Sequence, residues 1–265
     1  MTEPTTPPVP TAIGANPSFV DLLASRNPAA LPAPVPVAAA MEALRHGTTV
    51  LGLKYDGGIV MAGDRQATAG MDIADDRIEK VFAADDYSAI AISGAAGQAI
   101  EIVKLFQLEL EHYEKITGDR LSLEGKANRL AQMIRGNLPL AMQAGLIVVP
   151  LFGGFDETRG QGRIFNYDAT GGRWEDEDFH ATGSGGRPAK LSLRKGWRPG
   201  LDLSTGLEVA VEALVDASRE DAATGGPDPS RGIFPTVVVV DREGARRLED
   251  ARVAEAVAAV VGRGA

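Results

Sequence analysis

The three histidines of the sequence, His46, His112 and His180, restrict the nucleophilic chemistry available to the chain. A serine–histidine–aspartate triad needs a histidine held beside a hydroxyl group. His46 lies in a proline-rich segment and His112 in a run of glutamates, and both settings are typical of surface residues. His180, next to Phe179 and before a glycine turn, is the only contender, so a triad is the less favoured hypothesis.

Metal and cofactor chemistry lacks the motifs it needs. The chain has no cysteine, which excludes thiolate nucleophiles, disulfides and cysteine-ligated zinc sites. It also lacks the H-E-x-x-H, P-loop and strand-linked G-x-G-x-x-G patterns. We therefore expect no metal and no cofactor.

A hydroxyl nucleophile can instead be activated by its own amine when it belongs to the first residue of a mature chain. The unperturbed α-amino pKa of about 7.7–8.0 leaves a useful neutral fraction at pH 7. The stretch His46-Gly47-Thr48-Thr49-Val50 offers such a residue, because Gly47 gives steric access to the peptide bond that the Thr48 hydroxyl would attack. Self-cleavage between Gly47 and Thr48 would leave Thr48 with a free hydroxyl group and a free α-amine. The alternative is that two β-branched threonines simply begin a strand.

The hairpin that follows brings a carboxylate back to the threonine pair. Asp56-Gly57 predicts a tight turn between a strand that begins near Thr48 and one that ends near Asp64. With a two-residue turn Asp64 faces Thr49, whereas a one-residue bulge would pair it with Val50. The sequence leaves the register open, and both versions bring Asp64 close to Thr48.

The segments around these residues differ in composition. Residues 1–47 hold nine of the sixteen prolines and are predicted to be a loosely attached leader, with one short helix within Ser18–Pro28. From Thr48 onward, β-formers and amphipathic patterns predict a folded domain over residues 48–265.

Strands and helices come in separate runs after the hairpin. Tyr87–Gly94 predicts a strand, and two helical patterns follow, the second of which should end or kink at Pro139. Strands return, then a capping box at Thr205–Glu208 opens a helix, and a buried strand precedes a last helix over Val253–Val261. This order indicates an α+β fold with antiparallel sheet.

The charge and hydropathy of the chain restrict the classes of partner that it can bind. A net charge of −9 argues against nucleic-acid binding, which needs a basic face. No apolar run reaches the ~20 residues of a membrane span, and the first basic residue is Arg26, so a secretory signal is not expected. We expect a cytoplasmic protein with no membrane partner.

Several motifs together resemble those of proteasome β subunits. They are GTTVLGLKYDGGIVMAGDRQATAG from Gly47, a lysine at Lys80, then ISGAAG, GSGG, DAATGGPD and IFPTVVVVD. The resemblance covers residues 48 to about 245, and the leader is similar to propeptides of actinobacterial-type β subunits. No single motif would suffice, but the set is highly specific.

The resemblance implies a threonine peptidase of the N-terminal nucleophile hydrolase family, with a four-layer αββα sandwich of two antiparallel sheets. Residues 1–47 would be a propeptide removed by self-processing at Gly47-Thr48, and residues 48–265 the hydrolase domain. The enzyme would be an endopeptidase subunit of the proteasome core particle that degrades unfolded proteins to peptides.

The same match implies a role for each candidate site residue. Thr48 would be the nucleophile, Asp64 and Lys80 its charged companions, and Gly94 the donor of an oxyanion-hole N–H. The residues that would form a polar network near the amine are Ser184, Asp221 and Thr224. The residues that would bind substrate are Ala67, Thr68, Ile78, Ile92 and Ala96. Four of them, Ala67, Ile78, Ile92 and Ala96, would line an apolar pocket that favours cleavage after hydrophobic residues. The backbones of Thr68, Gly94 and Ala96 would hold the peptide as an added strand.

Two departures from the family pattern concern this network. Thr224 stands where serine is common, and Glu220 stands before Asp221 where a basic residue is common. Thr224 keeps a hydroxyl group, so we expect activity to survive, although its methyl group must fit beside the amine.

The implied partners are proteasome α subunits, other copies of the chain in heptameric rings, and a ring-shaped ATPase unfoldase that acts through the α ring. Two alternatives stay open. One is a non-catalytic ring subunit that keeps the fold, and an unprocessed leader without peptide hydrolysis would favour it. The other is the simpler bacterial two-ring protease, whose subunits also begin with two threonines but are shorter and lack a long leader.

Overall fold

The computed structural model describes residues 48–69 and 72–263. The leader, its predicted helix within Ser18–Pro28 and Gly47 lie outside the described residues. The strands in chain order are β1 (Thr49–Tyr55), β2 (Gly58–Gly63), β3 (Ala67–Ala69), β4 (Asp72–Asp75), β5 (Val81–Asp85), β6 (Ser88–Gly94), β7 (Val148–Asp156), β8 (Gln161–Tyr167), β9 (Arg173–Asp176), β10 (Phe179–Gly183), β11 (Thr236–Asp241) and β12 (Gly244–Arg247). The helices are α1 (Ala96–Thr117), α2 (Leu123–Ala144), α3 (Gly186–Gly196), α4 (Leu203–Glu220) and α5 (Asp250–Arg263).

The first hairpin adopts the register of a two-residue turn. Val50 pairs with Gly63 and Tyr55 with Gly58 across β1 and β2, and the bulged register is therefore wrong. One step beyond the ladder, the Asp64 N–H donates to the Thr49 carbonyl at 3.1 Å. Asp64, which follows β2, thus lies beside Thr48 and Thr49 at the start of β1.

Two five-stranded antiparallel sheets form the centre of the fold. Their spatial orders are β10-β1-β2-β11-β12 and β5-β6-β7-β8-β9, and β3 and β4 form a separate short hairpin. The alternation of β6 shows how one strand serves two interfaces. Ile90 and Ile92 pack in the core beside α1 and α2, whereas Ala89 and Ala91 pack toward the first sheet.

Three apolar cores arrange these elements in four layers. One core joins the first sheet to α3, α4 and α5, with Leu51 packed near Leu214. A second lies between the sheets and contains Met61 and Leu151, and the third joins the second sheet to α1 and α2. The order is helix, sheet, sheet, helix, which confirms the predicted α+β fold and its αββα sandwich.

The structure corrects two helix boundaries. Helix α2 contains Pro139 and continues to Ala144, so of the two predicted effects of Pro139, an end or a kink, the end is wrong. Proline removes one N–H donor, but Ala141 beyond it is still buried. Helix α4 begins before the predicted capping box, because the Asp202 carboxylate accepts from the Thr205 N–H at 2.7 Å and caps the helix one turn earlier.

Candidate active site

The Asp64 carboxylate is the most fully bonded group near Thr48. Its residue is 1% exposed, and two donors reach each oxygen. Oδ1 accepts from the Thr49 N–H at 2.8 Å and from Lys80 Nζ at 2.7 Å. Oδ2 accepts from the Gln66 N–H and the Gly225 N–H, both at 3.0 Å. These charge-assisted bonds fix the carboxylate and offset the cost of its burial.

Lys80 lies just before β5 and extends into the site. Its Nζ donates to Asp64 Oδ1 and, at 2.6 Å, to the Gln66 carbonyl. Burial lowers the pKa of the Lys80 ammonium from its ordinary value, and the nearby Asp64 carboxylate opposes this effect. The Lys80 side chain is therefore held in one position by its carboxylate and carbonyl partners.

A second polar cluster meets the main chain of Thr48 from the other side. Ser184 lies in the glycine turn after β10, and Asp221 caps the end of α4. The Thr48 N–H lies 3.3 Å from Ser184 Oγ, which donates to Asp221 Oδ2 at 2.5 Å. Thr224 Oγ1 donates to the same carboxylate oxygen at 2.6 Å. The structure therefore brings together the three residues predicted to surround the amine.

One small pocket of about 30 Å³ contains Thr48, Lys80 and Gly94. Predicted substrate residues that line it are Ala67, Ile78, Ile92 and Ala96. Two further lining residues, Ser93 and Ala99, were missed from the sequence. The side chain of Thr68, the fifth predicted substrate residue, is buried in β3 and is not part of this lining.

Gly94 connects the end of β6 to the start of α1. Its φ of +104° is accessible to glycine, and a Cβ at this position would lie 2.2 Å from the Ile147 carbonyl oxygen. The N-terminus of α1 begins two residues later and has no acidic residue in its first turn. The partial positive charge of that helix end therefore lies beside the pocket.

His180 lies apart from this site. It pairs with Gly52 in the β1–β10 ladder, and its Nδ1 is 3.0 Å from Asp176 Oδ1. It lines a separate cleft between β10 and α3. The imidazole thus has a carboxylate partner but does not line the Thr48 pocket.

Four contributors to the site were not identified from the sequence. They are the main-chain donors of Gln66, Gly185 and Gly225 and the side chain of Thr49. Backbone donors leave no residue-type signal, since any residue other than proline has an N–H. The paired threonines did offer a signal for Thr49, but strand propensity explained it equally well.

Within the described ranges, the structure contains no helix long and apolar enough to cross a membrane. The same part of the chain contains no cluster of three or more histidine, aspartate or glutamate side chains arranged to hold a metal ion.

Comparison with known proteins identifies the family. The model of the family described as proteasome subunit matches residues 44–228. A proteasome subunit beta of Acidimicrobium ferrooxidans is 60% identical over 210 residues, which cover 79% of this chain and 77% of the relative. Those of Jonesia denitrificans and Streptomyces griseus are each 52% identical, over 90% and 93% of this chain and 80% and 88% of the relatives. The chain therefore belongs to the proteasome subunit family, as a β subunit and threonine peptidase of the proteasome core.

Proposed function

We propose that this proteasome threonine peptidase uses Thr48 as its nucleophile, after self-cleavage of the bond between Gly47 and Thr48. The observation that carries the proposal is the convergence of two polar systems on Thr48. Lys80 lines the same pocket as Thr48, and Ser184 contacts the Thr48 nitrogen. Thr48 thus shares its pocket with a charged side chain and has a polar side chain at its nitrogen.

Peptide hydrolysis then follows in two steps. The free amine of Thr48 takes the hydroxyl proton as Oγ1 attacks the substrate carbonyl, and this proton passes to the leaving amine. The resulting ester is cleaved by water, which restores the hydroxyl and the amine. The Lys80 ammonium stabilises the developing negative charge on Oγ1, and Asp64 holds Lys80 in place.

We assign the oxyanion donor to the Gly94 main-chain N–H. Its support is the position of Gly94 in the Thr48 pocket, next to the N-terminus of α1. Backbone N–H groups and a helix N-terminus both favour negative charge where the tetrahedral intermediate forms. One such donor is worth about 3–4 kcal/mol of transition-state stabilisation in other hydrolases.

Residues 1–47 act in this proposal as a propeptide that precedes the hydrolase domain at 48–265. While Gly47 is attached, the Thr48 nitrogen belongs to an amide and cannot accept a proton as a base. The leader therefore keeps the peptidase inactive until the bond between Gly47 and Thr48 is cleaved.

The pocket supports a preference for cleavage after hydrophobic residues. Its lining next to Thr48 is mainly alkyl, from Ala67, Ile78, Ile92 and Ala96, and such a surface gains free energy when an apolar side chain displaces water. Thr68 contributes its backbone, which with Gly94 and Ala96 holds the peptide as an added strand.

As a β subunit, the chain assembles with α subunits in a proteasome core. We propose further that it forms heptameric rings with copies of itself. A ring-shaped ATPase unfoldase would deliver unfolded proteins through the α ring, and the complex would act in the cytoplasm. Large apolar side chains exposed on α1, such as Leu108 at 59% and Ile116 at 72%, support burial of this subunit in an assembly.

Intact-mass measurement of the complex co-expressed with its α subunit tests the proposal. Wild type should lose residues 1–47 and cleave peptide amides that follow a hydrophobic residue faster than those after a basic or acidic one. Thr48→Ala should keep the full-length mass and show no hydrolysis. Thr48→Ser, which keeps a hydroxyl group, is the matched control and should retain processing.

Retention of residues 1–47 by both wild type and Thr48→Ala, or peptide hydrolysis by Thr48→Ala, would overturn the assignment of the nucleophile. Full-length wild type without hydrolysis in an assembled complex would instead support the non-catalytic ring subunit.

A further inference from the structure

Thr49 carries more polar contacts than a residue that merely begins a strand requires. It is 0% exposed, and its N–H donates to Asp64 Oδ1 at 2.8 Å. Its Oγ1 accepts from the Gly185 N–H at 3.0 Å and lies 2.6 Å from Thr224 Oγ1. One residue therefore contacts both polar systems that meet Thr48.

The count of hydroxyl protons sets the direction of these bonds. Thr224 donates its one hydroxyl proton to Asp221 Oδ2 at 2.6 Å, so it must accept in its contact with Thr49. Thr49 is then the donor to Thr224 and accepts from Gly185. A continuous chain runs from the Gly185 N–H through two hydroxyl groups to Asp221 Oδ2.

A second chain ends on the same carboxylate oxygen. Ser184 Oγ lies 2.5 Å from Asp221 Oδ2 and 3.4 Å from the Thr48 carbonyl oxygen, and the shorter contact takes its proton. Ser184 therefore accepts from the Thr48 nitrogen, 3.3 Å away. The position of Asp221 Oδ2 thus determines where Ser184 holds the nitrogen of the nucleophilic residue.

We infer that Thr49 is a positioning residue for the peptidase reaction, whose hydroxyl group orients Thr224 and, through Asp221 and Ser184, the amine of Thr48. This inference rests on the proposed role of Thr48 as nucleophile. Donation from Thr49 polarises the Thr224 hydroxyl and strengthens its bond to Asp221, as in other hydrogen-bonded chains. The N–H of Thr49 at the same time contributes to the fixed position of Asp64, the partner of Lys80.

The surroundings leave little freedom for another arrangement. A Cβ on Gly185 would lie 2.4 Å from Thr49 Oγ1 and 2.6 Å from Thr224 Oγ1, so a side chain there would push the two hydroxyl groups apart. Both threonines are β-branched, which restricts χ1. The threonine at position 224 therefore presents its hydroxyl with a stiffer side chain than serine would.

The test compares Thr49→Val, Thr49→Ala and Thr49→Ser in the complete α/β complex. Valine keeps the shape of threonine and the N–H that Asp64 accepts, but lacks the hydroxyl. Active sites are counted by covalent labelling with a threonine-directed electrophile, and kcat is expressed per labelled site. We expect both hydroxyl-free variants to lose at least about tenfold in kcat with KM changed less than about twofold, a loss of about 1.4 kcal/mol in transition-state stabilisation. Thr49→Ser should recover most of the lost kcat.

Thr236→Val is the matched control. Thr236 is also a buried threonine at the start of a strand, 2% exposed, and among the described residues its Oγ1 has no hydrogen-bond partner. The same substitution there should leave kcat per site unchanged.

Wild-type kcat per labelled site in Thr49→Val and Thr49→Ala would overturn the positioning role and leave the nucleophile assignment intact. Failure of both hydroxyl-free variants to assemble, while Thr49→Ser assembles, would make Thr49 an assembly residue and also overturn it. Hydrolysis by Thr48→Ala, measured alongside, would instead overturn the proposed function itself.

Discussion

Lys80 and Asp64 form an ion pair whose side chains are 3% and 0% exposed. Burying two charges is costly, and their attraction compensates only when additional hydrogen bonds satisfy the remaining polar atoms. Here the Asp64 oxygens accept from three backbone N–H groups in addition to Lys80. The pair is therefore held rigidly beside the pocket that Thr48 lines. Its burial lowers the pKa of the Lys80 ammonium, and the Asp64 charge opposes this effect.

This lowered pKa predicts the alkaline limit of activity. The Lys80 ammonium should lose its proton below the ordinary value of 10.5. Activity that needs the ammonium is present below the lowered pKa and is lost as the pH rises through it. Asp64→Asn removes the charge that raises the pKa, so the alkaline limb of kcat/KM, measured for the remaining activity, should move to lower pH.

Asp119→Asn, an exposed substitution on the loop after α1, is the control and should leave the alkaline limb unmoved. An alkaline limb of Asp64→Asn that stays in place or moves to higher pH would contradict the role assigned to the Lys80 charge.

Thr48 and Asp64 could be related from the sequence because one hairpin connects them. The turn at Asp56-Gly57 restricted Asp64 to two registers, and packing selects one of them. The chain from Thr49 to Thr224 could not be predicted in this way. Its two hydroxyl groups are separated by 175 residues, and their meeting depends on how β1, the turn after β10 and the loop after α4 pack together.

At the scale of elements, the periodicity of apolar residues predicted most of the long strands and helices. The ends predicted from local signals such as Pro139 and the capping box at Thr205–Glu208 were partly misplaced. The strand at Tyr87–Gly94 and the last helix were predicted because their apolar patterns are strong. Helix α3 was missed, since it begins with Gly186, Arg187 and Pro188, residue types that are typical of a loop. Its helical form depends on burial of Ala189 and Leu193 against the first sheet and α4, a tertiary effect.

The two sheets approach each other closely at Gly162 on β8. A Cβ there would lie 2.6 Å from the carbonyl carbon and oxygen of Gly58 on β2, and main-chain atoms cannot move aside like the end of a side chain. Gly162→Ala should therefore lower the free energy of unfolding by about 1–3 kcal/mol. Urea unfolding of the full chain, carrying Thr48→Ala to prevent cleavage, measures this change.

Gly136→Ala in the exposed face of α2 is the opposite case. Nothing lies within 4 Å of a Cβ at that position, so alanine should raise the free energy of unfolding by about 0.5–1 kcal/mol through helix propensity. Equal effects at Gly162 and Gly136 would show that the close approach of the sheets does not limit stability.

At the scale of the whole molecule, the candidate site lies where the two sheets meet. Thr48 precedes β1 of the first sheet, whereas Lys80 and Gly94 lie at the ends of β5 and β6 in the second. The core between the sheets, which includes Val50, Met61 and Ile164, therefore holds the two halves of the site together. A site of this kind requires the halves to remain packed as one unit.

The two tryptophans of the chain report separately on these halves. Trp197 donates to the Lys54 carbonyl at 2.8 Å and packs on the first sheet, whereas Trp174 lies on β9 of the second sheet. We predict that Leu214→Ala, in the core outside the first sheet, lowers the urea midpoints reported by both tryptophans equally. The two midpoints should move together because the core between the sheets couples unfolding of the two halves. The free energy of unfolding should fall by about 2–5 kcal/mol, as for other buried leucines replaced by alanine.

Trp174→Phe and Trp197→Phe in the Thr48→Ala chain isolate each signal. Leu130→Ala, an equally buried substitution in the core outside the second sheet, is the mirror experiment and should also move both midpoints together. If Leu214→Ala moved only the Trp197 midpoint and Leu130→Ala only that of Trp174, the halves would unfold independently. Their packing would then be too weak to hold Thr48 against Lys80 and Gly94, so coincident midpoints are the result that a site built between two sheets demands.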